Sequence, residues 1–352
     1  MGPLEFIYYL GYSFNKSRSL KNQERLPHKV ISVGNLTVGG TGKTPAVIAI
    51  AEEAKKRGYL PCILTRGYRG KVKGPCLISK GEGPLLSVDE AGDEASLMAE
   101  KLRGVPVVKG KNRYEAGMFA IRHLESFATG EPAGEGKSHF LFILDDGFQH
   151  WRLYRDMDIL LIDSTNPFGN NKLLPMGRLR EPLKEMKRAD IIVLTKVQKE
   201  AEGLYPIHAA LTTEIRRYNP AAPIYSSEHI AMSLRTLSGR DLPLDVLSGK
   251  AVLAFCGIGS PSSFRETLLK MKTDVRGFMA FMDHHAYDSR DLQRIMGNAG
   301  ECNADWIVTT EKDIMRLRDF GRTENLVAVR IEFRTGQDFY DEIFRRIGWS
   351  NT

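Results

Sequence analysis

The stretch Val30-Ile-Ser-Val-Gly-Asn-Leu-Thr-Val-Gly-Gly-Thr-Gly-Lys-Thr-Pro45 opens with a β-branched run, crosses a glycine cluster and leads into the alanine-rich segment Ala46 to Arg57. Strand, glycine turn and helix in that order are the parts of a phosphate-binding loop. Successive backbone N–H groups in such a turn, with the positive end of the following helix, form a concave anion site that excludes bulky side chains. Gly39, Gly40 and Gly42 meet that need, with Thr37, Val38 and Thr41 completing the loop. Lys43 is spaced to reach the β- and γ-phosphates, and the Thr44 hydroxyl to ligate Mg²⁺. One departure is plain: Thr37 stands where the first glycine of G-x-x-x-x-G-K-[ST] is usual. The stretch predicts a nucleoside-triphosphate site on an α/β fold.

Strand-like and helix-like segments alternate outward from this loop, as in a P-loop, doubly wound, mostly parallel sheet. Pro61 to Thr65 reads as a strand, Glu94 to Leu102 as a helix, Val105 to Val108 as a strand and Tyr114 to Leu124 as a helix. A polar, glycine-rich loop from Thr129 to Ser138 precedes Phe140-Leu-Phe-Ile-Leu-Asp-Asp146, a buried strand closing on two carboxylates. Strands over Asp158 to Ile162 and Ile191 to Leu194 follow. An Asp at the carboxyl end of such a strand sits where open α/β sheets bind ligands, so Asp145 and Asp146 are candidates to hold Mg²⁺ against Thr44. Turn chemistry also explains an Asp-Gly pair, and Gly147 follows Asp146.

The 352 residues, 42% of them hydrophobic, suffice for about two domains. A boundary is expected after Asn219-Pro-Ala-Ala-Pro223, separating a 1–223 P-loop domain from a smaller 224–352 α/β domain. Ile224 to Leu234 reads as a connecting strand that Asn325 to Phe333 could join as a ribbon. Lys250 to Pro261 restarts a strand, glycine turn and helix, but without Lys-Ser/Thr it reads as a tight corner and not a second nucleotide site. Thr310-Glu-Lys-Asp313 reads as a structural helix cap. Net charge of +7 fits nucleic acid, an anionic membrane or a phosphorylated substrate, and charge alone does not choose. The four cysteines, Cys62, Cys76, Cys256 and Cys302, lack zinc-like spacing and fit reduced thiols of a cytosolic compartment.

Leu4, Ile7, Tyr8, Gly11 and Phe14 recur at helical spacing near the start, with Lys16, Arg18, Lys21, Arg25 and Lys29 behind them. The segment is shorter than the ~20 apolar residues that cross a bilayer and lacks the pattern of a signal peptide. Two readings stay open: a helix lying in the membrane interface, or an amphipathic helix packed on the protein's own core.

Gly34 to Pro45, Arg66-Gly-Tyr68, Gly92-Asp-Glu94, Asp145-Asp-Gly-Phe-Gln-His150, Leu174-Pro-Met-Gly-Arg-Leu-Arg-Glu-Pro182, Asp283-His284 and Thr309-Thr-Glu-Lys-Asp313 together resemble the tetraacyldisaccharide 4′-kinase family of Gram-negative bacteria. The motifs stand in the family's order across nearly the whole chain. The resemblance implies a lipid kinase of lipid A biosynthesis. Its reaction moves the ATP γ-phosphate to the 4′-hydroxyl of an acylated glucosamine disaccharide 1-phosphate. It also implies a peripheral place on the anionic, cytoplasmic face of the inner membrane, with no nucleic acid and no obligate protein partner. It assigns the proton-accepting role to Asp93 paired with His284, a pair that would form across domains. On the residues alone, Asp93 reads as a helix N-cap.

Arg178 and Arg180, in the densest basic stretch, are candidates to clamp phosphate charge, with Glu181 adding a carboxylate to the metal shell. A solvated, charged helix start explains the same stretch. Arg66, Asn112, Arg113, Gln149 and His150 are candidate substrate contacts, as is Lys111, while helix-entry polarity explains residues 111–113 equally. The rival class is a P-loop GTPase or metal-delivery chaperone acting on a protein partner. Against it, Leu194-Thr-Lys-Val-Gln198 carries Gln198 where a guanine-binding carboxylate is required, which favours ATP.

Overall fold

The computed structural model describes residues 2–128, 140–197, 206–317, 323 and 325–348. The loop read at Thr129 to Ser138, and Gln198, lie outside these. The chain divides into two units, Met1–Glu228 with Phe333–Thr352, and His229–Glu332.

The first unit opens with α1 (Pro3–Lys21) and continues through β1 (Lys29–Asn35), α2 (Lys43–Lys56), β2 (Leu60–Thr65), β3 (Cys76–Ser79), α3 (Val88–Ala91) and α4 (Asp93–Lys101). Then come β4 (Val107–Lys109), α5 (Arg113–Ala128), β5 (Phe140–Asp145), β6 (Met157–Asp163), β7 (Ile191–Thr195), α6 (Pro206–Tyr218) and the start of β8 (Ile224–Thr236). The sheet order is β8-β7-β6-β1-β5-β2-β4-β3, parallel except for the antiparallel β3. Both faces are covered, so the strands are near-continuous apolar runs whose side chains alternate between two cores. Ile31, Val33, Leu141 and Ile143 face α2, whose Ala46, Val47, Ile50, Ala51 and Ala54 form one stripe. Val30, Phe142 and Leu144 face Ala116, Ala120 and Leu124 of α5.

The second unit contains β9 (Asp241–Leu242), β10 (Ala251–Cys256), α7 (Pro261–Lys270), β11 (Asp274–Ala280), α8 (Ser289–Glu301), β12 (Trp306–Thr310), α9 (Glu311–Met315) and most of β13 (Leu326–Thr335). Its strands run in the order β11-β10-β12-β13, with β8 beside β13.

The expected 224–352 domain is too long at its end. After β13 the chain forms α10 (Gln337–Arg346), whose Phe339, Ile343 and Phe344 enter the core of the first unit with Tyr59 and Ile50. Burying each such side chain contributes about 1.5–3 kcal/mol, which ties the C-terminal helix to the nucleotide domain.

Candidate active site

The glycine turn after β1 is shaped from several sides. Gly39 and Gly42 adopt positive φ of 116° and 84°, which at Gly42 lets α2 begin directly at Lys43. The first-turn N–H groups of that helix have no intrahelical acceptor and face outward for an anion. Loop carbonyls are drawn the other way. Thr195 Oγ1 donates to the Thr41 carbonyl at 2.9 Å, and Lys196 Nζ to the Gly40 carbonyl at 2.7 Å while paired with Asp163 at 2.6 Å. Thr195 and Lys196 entered the sequence reading only as a base-selectivity motif; their bracing of the loop was missed, because it joins residues more than 150 positions apart. Lys43 Nζ lies 3.2 Å from Asn35 Oδ1 and 3.5 Å from Asp146 Oδ1, and Thr44 is buried at the helix start.

The two carboxylates at the end of β5 are driven in opposite directions. Asp145 is buried, accepts a bond from Thr65 Oγ1 at 2.9 Å, and keeps Oδ1 without a hydrogen-bond partner among the described residues. Burial, with Glu94 and Asp146 nearby, pushes its carboxyl up to about 6. Asp146 stands in left-handed backbone at φ 52°. Arg180 Nη1 binds both its oxygens at 2.8 and 2.9 Å. Burial opposes its ionisation, but Lys43 and Arg180 outweigh that and hold it well below the usual carboxylate range. A side chain at Gly34 would run into Phe148, so the close packing of β1 on the 145–150 turn sets where both carboxylates stand.

Several expected roles change in the folded protein. Arg178 folds back onto the Val38 carbonyl, at 2.9 and 3.2 Å, while its own carbonyl accepts from Val38 N–H at 2.8 Å. It acts as a strut of the loop. Glu181 is fully buried: Oε1 accepts from Gln149 at 2.7 Å, and Oε2 from Arg188 at 2.5 Å and Tyr12 at 3.5 Å. Both oxygens are engaged by protein donors, so the expected metal ligation is replaced by a strut beneath Gln149. Asn112 caps α5, its Oδ1 accepting from Tyr114 N–H at 3.1 Å and its Nδ2 donating to Glu115 at 2.8 Å; the helix-entry alternative describes it.

A cleft of about 1130 Å³ opens beside Asp146 and Arg180. Gln149, His150, Arg66, Lys111 and Arg113 line one side, and Tyr8, Tyr12, Asn15 and Arg18 of α1 the other. Gln149 bridges the Asn35 carbonyl, Glu181 and Arg180. Burial, then Arg113, Arg155, Arg152 and Arg66, push His150 down to about 3, so it is a neutral imidazole. Arg113 is buried, donates to the carbonyls of Gly110 (2.7 Å) and Asp145 (3.3 Å), and is lowered to about 10 by burial.

Asp93 is buried as the first residue of α4, behind Gly92, where φ is 93° and an added Cβ would meet the Tyr68 carbonyl at 2.5 Å. Glycine there lets the 66–70 loop lie directly on the turn that carries Asp93. In the second unit His284 has φ 59°. Its N–H donates to the Gly257 carbonyl at 2.9 Å, and its Nδ1 lies 3.4 Å from Arg316 Nη2. His285 is committed elsewhere, to Asp291 at 2.7 Å and stacked on Phe281, which leaves His284 the better candidate of the two.

With that geometry in place, the comparisons decide the family. The family model described as tetraacyldisaccharide-1-P 4′-kinase, LpxK, matches residues 1–347. The chain belongs to this kinase family. The tetraacyldisaccharide 4′-kinase of Syntrophus aciditrophicus is 42% identical over 85% of this chain and 78% of its own. That of Halothermothrix orenii is 39% identical over 82% and 74%. The crystal structure of LpxK from Aquifex aeolicus, in complex with ATP, superposes with a TM-score of 0.73 at 32% identity, covering 98% of both chains. The chain is an ATP-dependent kinase of lipid A biosynthesis on a P-loop α/β fold, and the GTPase and metal-chaperone alternative is not favoured.

Proposed function

We propose that the family's reaction runs in the cleft of the first unit, with ATP phosphates in the Thr37–Thr44 loop and the sugar head of the tetraacyldisaccharide 1-phosphate beneath α1. The observation that carries this reading is the meeting of Lys43, Asp146 and Arg180 at one end of a cleft large enough for a disaccharide. The acceptor's 4′-oxygen bonds to the γ-phosphorus as the bond to the β,γ-bridging oxygen breaks, and the hydroxyl proton passes to Asp93, a role that the family resemblance shares with His284. Lys43 and Arg180 face the charge that gathers on the phosphoryl oxygens. Gln149, neutral His150, Arg66 and Arg113 orient the sugar.

Mg²⁺ suits the residues present. Asp145 keeps one buried oxygen without a partner among the described residues, and its ionisation is opposed by burial; a cation held by Asp145 and the Thr44 hydroxyl relieves both. When bound, it supplies neutralisation of the β- and γ-phosphate oxygens.

The N-terminal helix supports docking on the anionic, cytoplasmic face of the inner membrane. Its inner face is tied down by Glu5 to Leu173 N–H (2.9 Å), Tyr8 to the Arg180 carbonyl (3.0 Å) and Lys16 to Glu185. Its outer face leaves Leu4, Phe6, Ile7, Leu10 and Phe14 exposed. Among the described residues no helix is long and apolar enough to cross a membrane.

The test is incubation with γ-labelled ATP, Mg²⁺ and acyl disaccharide 1-phosphate. Label should appear on the lipid and vanish without Mg²⁺; ATP hydrolysis over unlabelled lipid would refute the reading. Ile7→Ser/Phe14→Ser should weaken vesicle binding about tenfold or more while ATP binding survives, since each apolar side chain removed from water contributes about 1.5–3 kcal/mol. Undiminished vesicle binding would remove the membrane role.

A further inference from the structure

In the second unit, the two ring nitrogens of His284 face groups of opposite charge. Nδ1 lies 3.4 Å from Arg316 Nη2, and Nε2 lies 3.8 Å from Asp283 Oδ1. A guanidinium has only N–H groups to offer and keeps its charge, so it donates, and the nitrogen opposite it must present a lone pair. The bond made by one imidazole nitrogen decides where the other carries its proton. With Nδ1 accepting, the neutral ring of His284 holds its hydrogen on Nε2, the side on which the Asp283 carboxylate also favours it.

Local sequence explains why the arginine stands there. Arg316 closes the short helix α9, whose start is fixed by Thr310: its Oγ1 accepts from Asp313 N–H at 3.3 Å and donates to Asp313 Oδ2 at 2.6 Å. Ile314 and Leu317, on either side, enter the core with Phe255, Tyr287 and Ile295. The fork of Arg316 then spans two successive residues, Nη1 donating to the His285 carbonyl while Nη2 meets the His284 ring. The backbone of His284 is held as well, in left-handed conformation with its N–H on the Gly257 carbonyl at 2.9 Å. Gly257 N–H in turn donates to Asp313 at 3.1 Å. Thr310-Glu-Lys-Asp313 therefore reaches His284 twice, through its backbone by way of Gly257 and through its ring by way of Arg316.

We infer that Arg316 is a positioning residue of the kinase reaction: it holds His284 in the tautomer protonated at Nε2, so that His284 serves as a hydrogen-bond donor to an anionic oxygen and Asp93 alone accepts the hydroxyl proton. The inference rests on the kinase reading above. The proton leaves the 4′-oxygen for the Asp93 carboxylate, and His284 keeps its own hydrogen throughout.

The test uses the full chain with isotope-labelled histidine, the His284 signals being identified by their loss in His284→Ala. Nitrogen–proton correlation spectra at alkaline pH should place the wild-type hydrogen on Nε2, and Arg316→Glu, which offers Nδ1 an acceptor, should move it to Nδ1. In initial-rate measurements with ATP, Mg²⁺ and acyl disaccharide 1-phosphate, Arg316→Met should lose about 10- to 100-fold in kcat, as loss of one hydrogen bond to a charged group does. KM for ATP should stay near wild type, and Arg316→Lys should recover part of the rate. Added to His284→Ala, Arg316→Met should cost almost nothing more, because it acts through that ring. A wild-type hydrogen on Nδ1 overturns the inference, and this spectrum decides even where thermal melting shows Arg316→Met to be unstable. Multiplicative losses in the double variant, or full kcat in folded Arg316→Met, overturn it too. Full activity in His284→Ala is a different result, which removes the histidine from the reaction and the role of Arg316 with it. A wild type that hydrolyses ATP and leaves the lipid unlabelled removes the kinase reading itself.

Discussion

Two glycine turns follow central, buried strands in this molecule, one after β1 and one after β10, and they are put to different uses. In the first, the carbonyls of Gly40 and Thr41 are held from behind by Lys196 and Thr195, which leaves the outward N–H groups to a ligand. In the second, Gly257 N–H already has a carboxylate, Asp313 Oδ1 at 3.1 Å, which also accepts from Tyr287 at 2.9 Å. The same residue's carbonyl receives His284 N–H at 2.9 Å. One turn is open to phosphate; the other is closed by the protein's own anion and holds a histidine in left-handed backbone. A glycine turn after a strand is thus a general anion cradle, and what faces it decides whether the anion is a nucleotide or an aspartate.

The sharpest way to break this contrast is to remove the proton-handling groups attached to each unit. Asp93→Ala and His284→Ala should each lower kcat by about 10²–10⁴ while ATP still binds. The double variant should lose far less than the product of the two; multiplicative losses in steady-state kinetics would show that they act separately. Lys43→Ala should cost about 10²–10³ in kcat, as removal of one charge-stabilising group does, whereas Asp313→Asn should leave ATP affinity unchanged and lower stability by about 1–3 kcal/mol in denaturant melts. Equal damage to nucleotide binding from both would erase the distinction between the turns.

Loss of the rear brace should be milder. Lys196→Ala lets the Gly40 carbonyl swing toward the phosphates and should raise KM for ATP about tenfold or more with a smaller change in kcat; an unchanged KM would mean the loop holds its shape alone. Smallest is the effect of pH on cation binding. Asp145, pushed up to about 6 by burial, must lose a proton to hold Mg²⁺, so Mg²⁺-dependent ATP binding should weaken about tenfold from pH 7 to pH 5. Calorimetry in buffers of different ionisation enthalpy should record proton release near pH 5 and none at pH 8. Asp145→Asn should abolish that release.

Much of the site is legible in the amino-acid sequence. The loop from Thr37 to Thr44 and the paired aspartates after Phe140 to Leu144 are local patterns, and local patterns survive because strand and helix periods follow from neighbouring residues alone. Roles that depend on distant partners could not be read so. Arg178 and Arg180 look alike in sequence, yet one grips the Val38 carbonyl and the other Asp146. Glu181, adjacent to Arg180, is buried against Tyr12, Gln149 and Arg188 instead of facing a cation. Asn112 and Arg113 are neighbours as well, one capping a helix and the other beneath Asp145.

The amino-acid order by itself determined the alternating α/β architecture, the phosphate loop, the carboxylates at the end of β5 and the kinase family, because each is encoded by spacing within short segments or by the order in which such segments follow one another along the chain. Tertiary structure decided the rest: which of two adjacent aspartates is pushed toward protonation, which of Arg178 and Arg180 reaches a carboxylate, which face of α1 stays bare, and that α10 returns to the first unit. Those outcomes depend on burial and on charges brought together from far along the chain, and neither quantity exists until the chain has folded.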